Sequence, residues 1–107
     1  MRVKEAPPVY AYFKHRRVLD FIHRRWNKDT YDWTHGNCYW FAWILWEEFE
    51  DMYIYYLPIE GHFVAGMYGH YYDANGEYFC KEEPIEILDI KFNDPVWWAR
   101  LMRDCKD

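Results

Sequence analysis

The chain has 107 residues, 51% of them hydrophobic and 23% aromatic, with a formal net charge of −5 and three cysteines. This length suits one domain over residues 1–107 that can bury a core without disulfide staples, and it is too short for two ordinary domains. Cys38, Cys80 and Cys105 have no framework spacing and their odd number leaves at least one thiol free, which excludes a closed disulfide scaffold and suits a reducing compartment.

The charge is unevenly spread. Arg2, Lys4, Lys14, Arg16, Arg17, Arg24, Arg25 and Lys28 crowd the first 28 residues, and residues 29–80 contain no Lys or Arg while carrying Asp29, Asp32, Glu47, Glu48, Glu50, Asp51, Glu60, Asp73 and Glu77. An acidic middle disfavours phosphate and nucleic-acid ligands and admits a cationic or neutral one, such as a peptide. Pro7-Pro8 stands where a secretory signal would need its apolar core, and the longest apolar run, residues 38–46, is far short of a membrane span. The expectation is a cytoplasmic protein with a peptide or protein substrate or partner, no nucleic acid and no membrane.

In chain order, residues 1–8 read as an extended arm ending in the Pro pair. Apolar residues then recur near helical spacing, Val9, Tyr12, Phe13, Val18, Leu19, Phe21, Ile22 and Trp26, which predicts an N-terminal helical segment over 9–27 with its basic residues on a solvated face. Residues 28–36 form a polar loop with Tyr31 and Trp33 embedded in it. A helix over 38–49 follows, with Asn37 as N-cap. One of its sides reads Cys38, Phe41, Ala42, Leu45, Trp46 and Phe49, and the other, Tyr39, Trp40, Trp43 and Ile44, is apolar too. Apolar on all sides, it is expected to be buried at the centre of the domain. The acids Glu47, Glu48, Glu50 and Asp51 at its C-terminal end oppose the helix dipole and are expected in solvent.

The second half reads as strands. Residues 52–57 (MYIYYL) favour β structure and stop at Pro58; Glu60-Gly61 is a turn; residues 62–67 and 71–73 bracket a tight hairpin; Asn75-Gly76 is a strong turn dipeptide ahead of a strand over 77–80. Residues 85–90 (IEILDI) read as a further strand. Asp94-Pro95 then opens a closing helix to about residue 105 that buries Val96 or Trp97, Trp98, Leu101 and Met102. Helices segregated from an antiparallel sheet make the fold class α+β, with the buried helix packed on one face of a small sheet.

The chemistry concentrates on Cys38, His62 and Asp73. A thiol at a helix N-terminus faces unpaired N–H groups and the positive dipole end, which favour the thiolate. A nucleophilic thiol also needs a base, and the base an orienting group. If Tyr68-Gly69 is a two-residue hairpin loop, Met67 pairs with His70 and Ala65 with Tyr72, so His62 and Asp73 fall on one sheet face as diagonal neighbours. His35, three residues before Cys38, is a candidate lining residue. A zinc reading of His35-x-x-Cys38 with His62, His70 and Cys80 lacks ligand spacing, so no metal and no cofactor is expected. His70 is expected at an exposed hairpin tip.

A Gly-x-Cys motif opening a buried helix, a strand beginning with His and a following strand bearing Asp resemble the core of papain-like-fold cysteine enzymes over about residues 33–76. The order Cys, His, Asp is similar to that of the NlpC-type cell-wall peptidases and the transglutaminase-like proteins, and the stretch from His62 to Asp73 looks like a transglutaminase-like His-to-Asp hairpin. The resemblance implies a papain-like core with Cys38 as nucleophile, His62 as base and Asp73 as orienter. Residues 29–35 contain no Gln, so an oxyanion hole falls to the Cys38 backbone N–H with help from Asn37, Trp33 or another loop group. Two functions follow as expectations. One is a cysteine hydrolase or acyltransferase of peptidase or amidase type. The other is a non-catalytic binding or inhibitor protein of bacterial or phage origin on the same fold.

Overall fold

The computed structural model describes residues 8–28 and 30–106, with side chains described from Ala11 to Asp104 apart from Asp29. The extended arm expected over residues 1–8 lies outside the described residues except for Pro8, which opens helix α1 (Pro8–Arg25) rather than ending an arm. Proline suits a first helical turn, where its missing N–H has no partner to lose. Val18 and Ile22, one turn apart, are fully buried, while Arg16, Arg17, Arg24 and Arg25 face solvent, as a solvated basic face requires. Lys14 departs from that face: its ammonium is 2.7 Å from Asp51.

The expected polar loop contains a single helical turn, α2 (Tyr31–Thr34), before α3 (Cys38–Glu48). Cys38, Tyr39, Phe41, Ala42 and Leu45 of α3 are buried, but Trp43 and Trp46 are 37% and 48% exposed, which corrects the expectation of burial all round. The domain is too small to enclose a helix, so α3 packs on the sheet, keeps Trp40 and Ile44 partly buried against the core, and leaves Trp43 and Trp46 partly in water. Asn37 occupies the N-cap position without a side-chain capping bond, so the capping expected of it is not made. Of the four acids at the C-terminal end of α3 and just past it, Glu47, Glu48 and Glu50 are exposed as expected, and Asp51 is half-buried, accepting from Lys14 and from the Tyr68 hydroxyl at 2.9 Å.

The sheet has the order β4-β3-β2-β1-β5, with every pairing antiparallel. Its strands are β1 (Tyr53–Leu57), β2 (His62–Met67), β3 (His70–Asp73), β4 (Gly76–Tyr78) and β5 (Ile85–Glu86). β2 is central and buried along its whole length. Phe63, Ala65 and Met67 alternate into the core shared with α3, where the Tyr39 ring meets Phe63 edge-on at 5.2 Å. The β2–β3 connection is the two-residue Tyr68-Gly69 loop, both residues at positive φ, and the register pairs Met67 with His70 and Ala65 with Tyr72. Asp73 pairs with Gly76, so the loop residues of the next turn are Ala74-Asn75, one position earlier than Asn75-Gly76 suggested.

The strand expected over 85–90 is corrected: only Ile85–Glu86 pairs with β1, and Ile87–Asn93 forms helix α4. The Glu86 carboxylate accepts the Leu88 N–H at 2.9 Å, capping a helix whose inward residues, Ile87 and Ile90, are three apart. Asp94 caps the last helix, α5 (Pro95–Lys106), as expected, its Oδ1 accepting the Trp97 N–H at 3.1 Å. Trp97, Trp98, Leu101 and Met102 pack inward and Val96 points to water. The fold is therefore α+β, with a central helix on a small antiparallel sheet. No helix among the described residues is long and apolar enough to cross a membrane.

Candidate active site

Cys38 is the first residue of α3, and that helix end abuts the start of β2. The backbone N–H groups of Phe63 and Tyr39 both donate to the Cys38 sulfur. Two local devices deliver His62 to the same place. Gly61, at φ +64, turns the chain into β2, and the Glu82 carboxylate holds the preceding loop by accepting the Ile59 and Glu60 N–H groups at 2.9 Å each. Only glycine enters that backbone region without a Cβ penalty. Asp73 arrives as the last residue of β3.

These placements bring the three sequence-predicted residues together. His62 Nε2 is 3.6 Å from Asp73 Oδ2, and the other side of the imidazole serves the Cys38 thiol. With Nε2 turned to the carboxylate, Nδ1 is the ring nitrogen left for sulfur. Asp73 uses its second oxygen on the turn, Oδ1 accepting the Asn75 N–H at 2.9 Å. The Thr30 hydroxyl ties Asn75 Oδ1 at 2.6 Å, which links this turn to the segment leading into α3.

The surroundings perturb both titrating groups in a consistent direction. Burial alone would raise the Cys38 pKa; the hydrogen bond from His62, the Phe63 N–H, the His62 charge and the Tyr39 N–H outweigh it and bring the thiol below its ordinary value. Burial alone would lower the His62 pKa; hydrogen bonding to Asp73 and to Cys38, with the charges of both, raises it to about 9. The arrangement thus biases the pair toward thiolate and imidazolium.

Cys38, His62 and Asp73 line a cleft of about 550 Å³ whose other walls are Thr34, His35, Gly36, Glu60, Gly61, Asn75, Tyr78 and Asp104. His35 is a lining residue, as expected. Its Nδ1 is 2.9 Å from the Thr34 hydroxyl, and its ring stacks on Tyr31 at 4.2 Å. Asn37 and Trp33 do not line the cleft: Asn37 bonds through its backbone to Asp32 and Phe41, and Trp33 packs edge-on against Trp26 at 5.4 Å. The indole of Trp33 packs against the core rather than into the cleft, and the N–H groups without helical partners beside Cys38 are those of the first turn of α3.

Sequence reasoning missed Tyr78, Glu60 and Asp104. The Tyr78 ring lies 5.2 Å from His62, and its hydroxyl donates to Glu60. Burial, and then that bond to a carboxylate, raise the phenol's pKa, which keeps the Tyr78 hydroxyl protonated beside His62. The signal is faint: Glu60 is in the turn before His62, and Tyr78 is two residues past Gly76 on β4, separated from the strand of His62 by β3.

The chain matches the model of the family described as Phage YunG-like protein over residues 16–104, a span that takes in Cys38, His62 and Asp73, and it belongs to that family. No curated protein and no solved structure matches it.

Proposed function

We propose that this member of the phage YunG-like family is a small cysteine hydrolase or acyltransferase on a papain-like arrangement, with Cys38 as nucleophile, His62 as acid and base and Asp73 as the group that orients the imidazole. The observation that carries the reading is the convergence of the three side chains, from α3, β2 and β3, on one wall of one cleft. The chemistry is acyl transfer. The Cys38 thiolate attacks the carbonyl carbon of an amide or ester, the C–S bond forms, and the carbonyl electron pair moves to oxygen. First-turn N–H groups of α3 face the resulting oxyanion. His62 gives its Nδ1 proton to the leaving amine or alcohol as the C–N or C–O bond breaks, leaving a thioester on Cys38. Water or an acceptor amine then attacks the thioester, His62 takes its proton, and the thiolate departs. Asp73 holds Nε2 and the charge of the imidazolium throughout. Glu60 and Asp104 at the cleft favour a neutral or cationic substrate, in keeping with a peptide.

A second reading, a non-catalytic binding or inhibitor protein, draws on a different observation. Cys38 and His62 are only 7% and 8% exposed, whereas Trp43 and Trp46 present aromatic surface of the kind that anchors interfaces.

The test is the pH dependence of Cys38 alkylation by iodoacetamide in a Cys80→Ser, Cys105→Ser protein, with and without His62→Ala. Labelling that persists well below pH ~7, where a thiol of pKa ~8.5 has lost reactivity, and that weakens without His62 supports the hydrolase. Labelling that rises only near ~8.5 and ignores His62 sinks it and leaves the binding protein.

A further inference from the structure

Away from the cleft, His15 of α1, His70 of β3 and Glu77 of β4 converge, one ligand atom from each lying within 4.8 Å of the other two. The Glu77 carboxylate is shared between the imidazoles: Oε1 is 3.4 Å from His15 Nε2, and Oε2 is 2.8 Å from His70 Nδ1. The two rings stack at 4.2 Å with 30° between their planes. His70 is therefore engaged by Glu77 and half-buried at the hairpin, where an exposed residue was expected.

We propose that His15, His70 and Glu77 form a zinc site. Two imidazoles and a carboxylate are a known donor set for this ion, and two ligands about 2.0–2.1 Å from a tetrahedral zinc stand about 3.3 Å apart, as His15 Nε2 and Glu77 Oε1 do at 3.4 Å. The orientation of His15 supports the assignment independently. Its Nδ1 is 2.7 Å from the hydroxyl of the fully buried Tyr72, and in the tautomer with hydrogen on Nδ1 that nitrogen donates there while Nε2 keeps its lone pair for the metal. Ligating histidines are commonly fixed in this way through their second nitrogen. His70, the most exposed of the three, leaves a path to solvent and room for a water as fourth ligand. Ligands drawn from α1, β3 and β4 make the ion a clamp between the N-terminal helix and the sheet. The proposal does not depend on the activity assigned to Cys38.

The experiment uses untagged, metal-stripped Cys38→Ser, Cys80→Ser, Cys105→Ser protein, which removes competing thiols. It is titrated with Co(II) by visible absorption and then with Zn(II) in competition. The expected result is one ion per chain and a rise in thermal midpoint with zinc. Glu77→Gln and His70→Ala should each weaken binding at least about tenfold, the lower end of what even outer-shell losses cost a metal site, and His62→Ala should leave it unchanged. His70→Ala removes the most exposed ligand, and circular dichroism of that variant establishes that it folds. Absence of binding, or equal affinity in the parent and His70→Ala, overturns the proposal and reduces the cluster to a hydrogen-bonded network.

Discussion

Asp73 divides its carboxylate between two tasks. Oδ1 accepts the Asn75 N–H at 2.9 Å, and Oδ2 faces His62 Nε2 at 3.6 Å. A residue that could be read either as part of a turn or as a partner of His62 makes both contacts, and the turn bond sets the direction in which the other oxygen points. Asp73→Asn can retain the bond to Asn75 while removing the charge opposite His62. Its expected effect is a fall in Cys38 alkylation at pH 6 of about tenfold, what one pKa unit of lost thiolate stabilisation amounts to. Iodoacetamide kinetics in the variant lacking Cys80 and Cys105 measure it; an unchanged rate would show that the carboxylate does not act on the pair.

The pH dependence of stability carries two opposed contributions. His62 is raised in the folded chain from 6.5 to about 9, so its contribution is fully present below about pH 6.5 and is lost as pH rises through about 9. Cys38 is lowered from 9.0, so its contribution is present above that value and is lost as pH falls through the depressed folded pKa. Across the shared window the slopes oppose each other, and the wild-type midpoint should vary little. Cys38→Ala removes one of them, together with the part of the His62 elevation that Cys38 supplies, and should uncover a decline in stability with rising pH that begins near 6.5 and ends short of about 9, read from urea unfolding at fixed pH steps.

Gly66 lies where two rings close over the middle of β2. A Cβ there would stand 2.7 Å from Tyr55 Cε2 and 2.7 Å from Tyr71 Cδ1, and those rings meet edge-on at 5.2 Å. Gly66→Ala should destabilise by about 1–3 kcal/mol through overpacking. Tyr55→Ala in the same chain should relieve part of that cost by opening space, which separates crowding from a general effect of substitution in the strand.

Asp51 joins three parts of the fold: Lys14 of α1, the end of α3, and Tyr68 at the β2–β3 loop. Asp51→Ala removes the acceptor of both bonds and should cost about 2 kcal/mol, within the range for bonds to a charged group. Lys14→Met keeps the aliphatic stem and should cost under about 1 kcal/mol, since a partly exposed ion pair contributes little on its own. Chemical denaturation of the two variants side by side tests the ordering.

Signals that act over a few residues were legible in the chain. The apolar run after Gly36 places α3, Asp94-Pro95 places the start of α5, and the parity of the Tyr68-Gly69 loop places His62 and Asp73 on one face. Each of these follows from backbone dihedrals, capping bonds or strand alternation, which are settled locally. Other features depended on what each residue was packed against. Residues 85–90 alternate well enough for a strand, yet the Glu86 cap and the inward pull on Ile87 and Ile90 make a helix there. Trp46 shares a helix face with Phe41 on paper, yet the sheet is too narrow to cover it. The addition of Glu60, Tyr78 and Asp104 to the cleft, and the meeting of His15, His70 and Glu77, join positions remote in sequence. Only the docking of α1 and α5 against the sheet decides such meetings, because no local rule of spacing reaches that far along a chain.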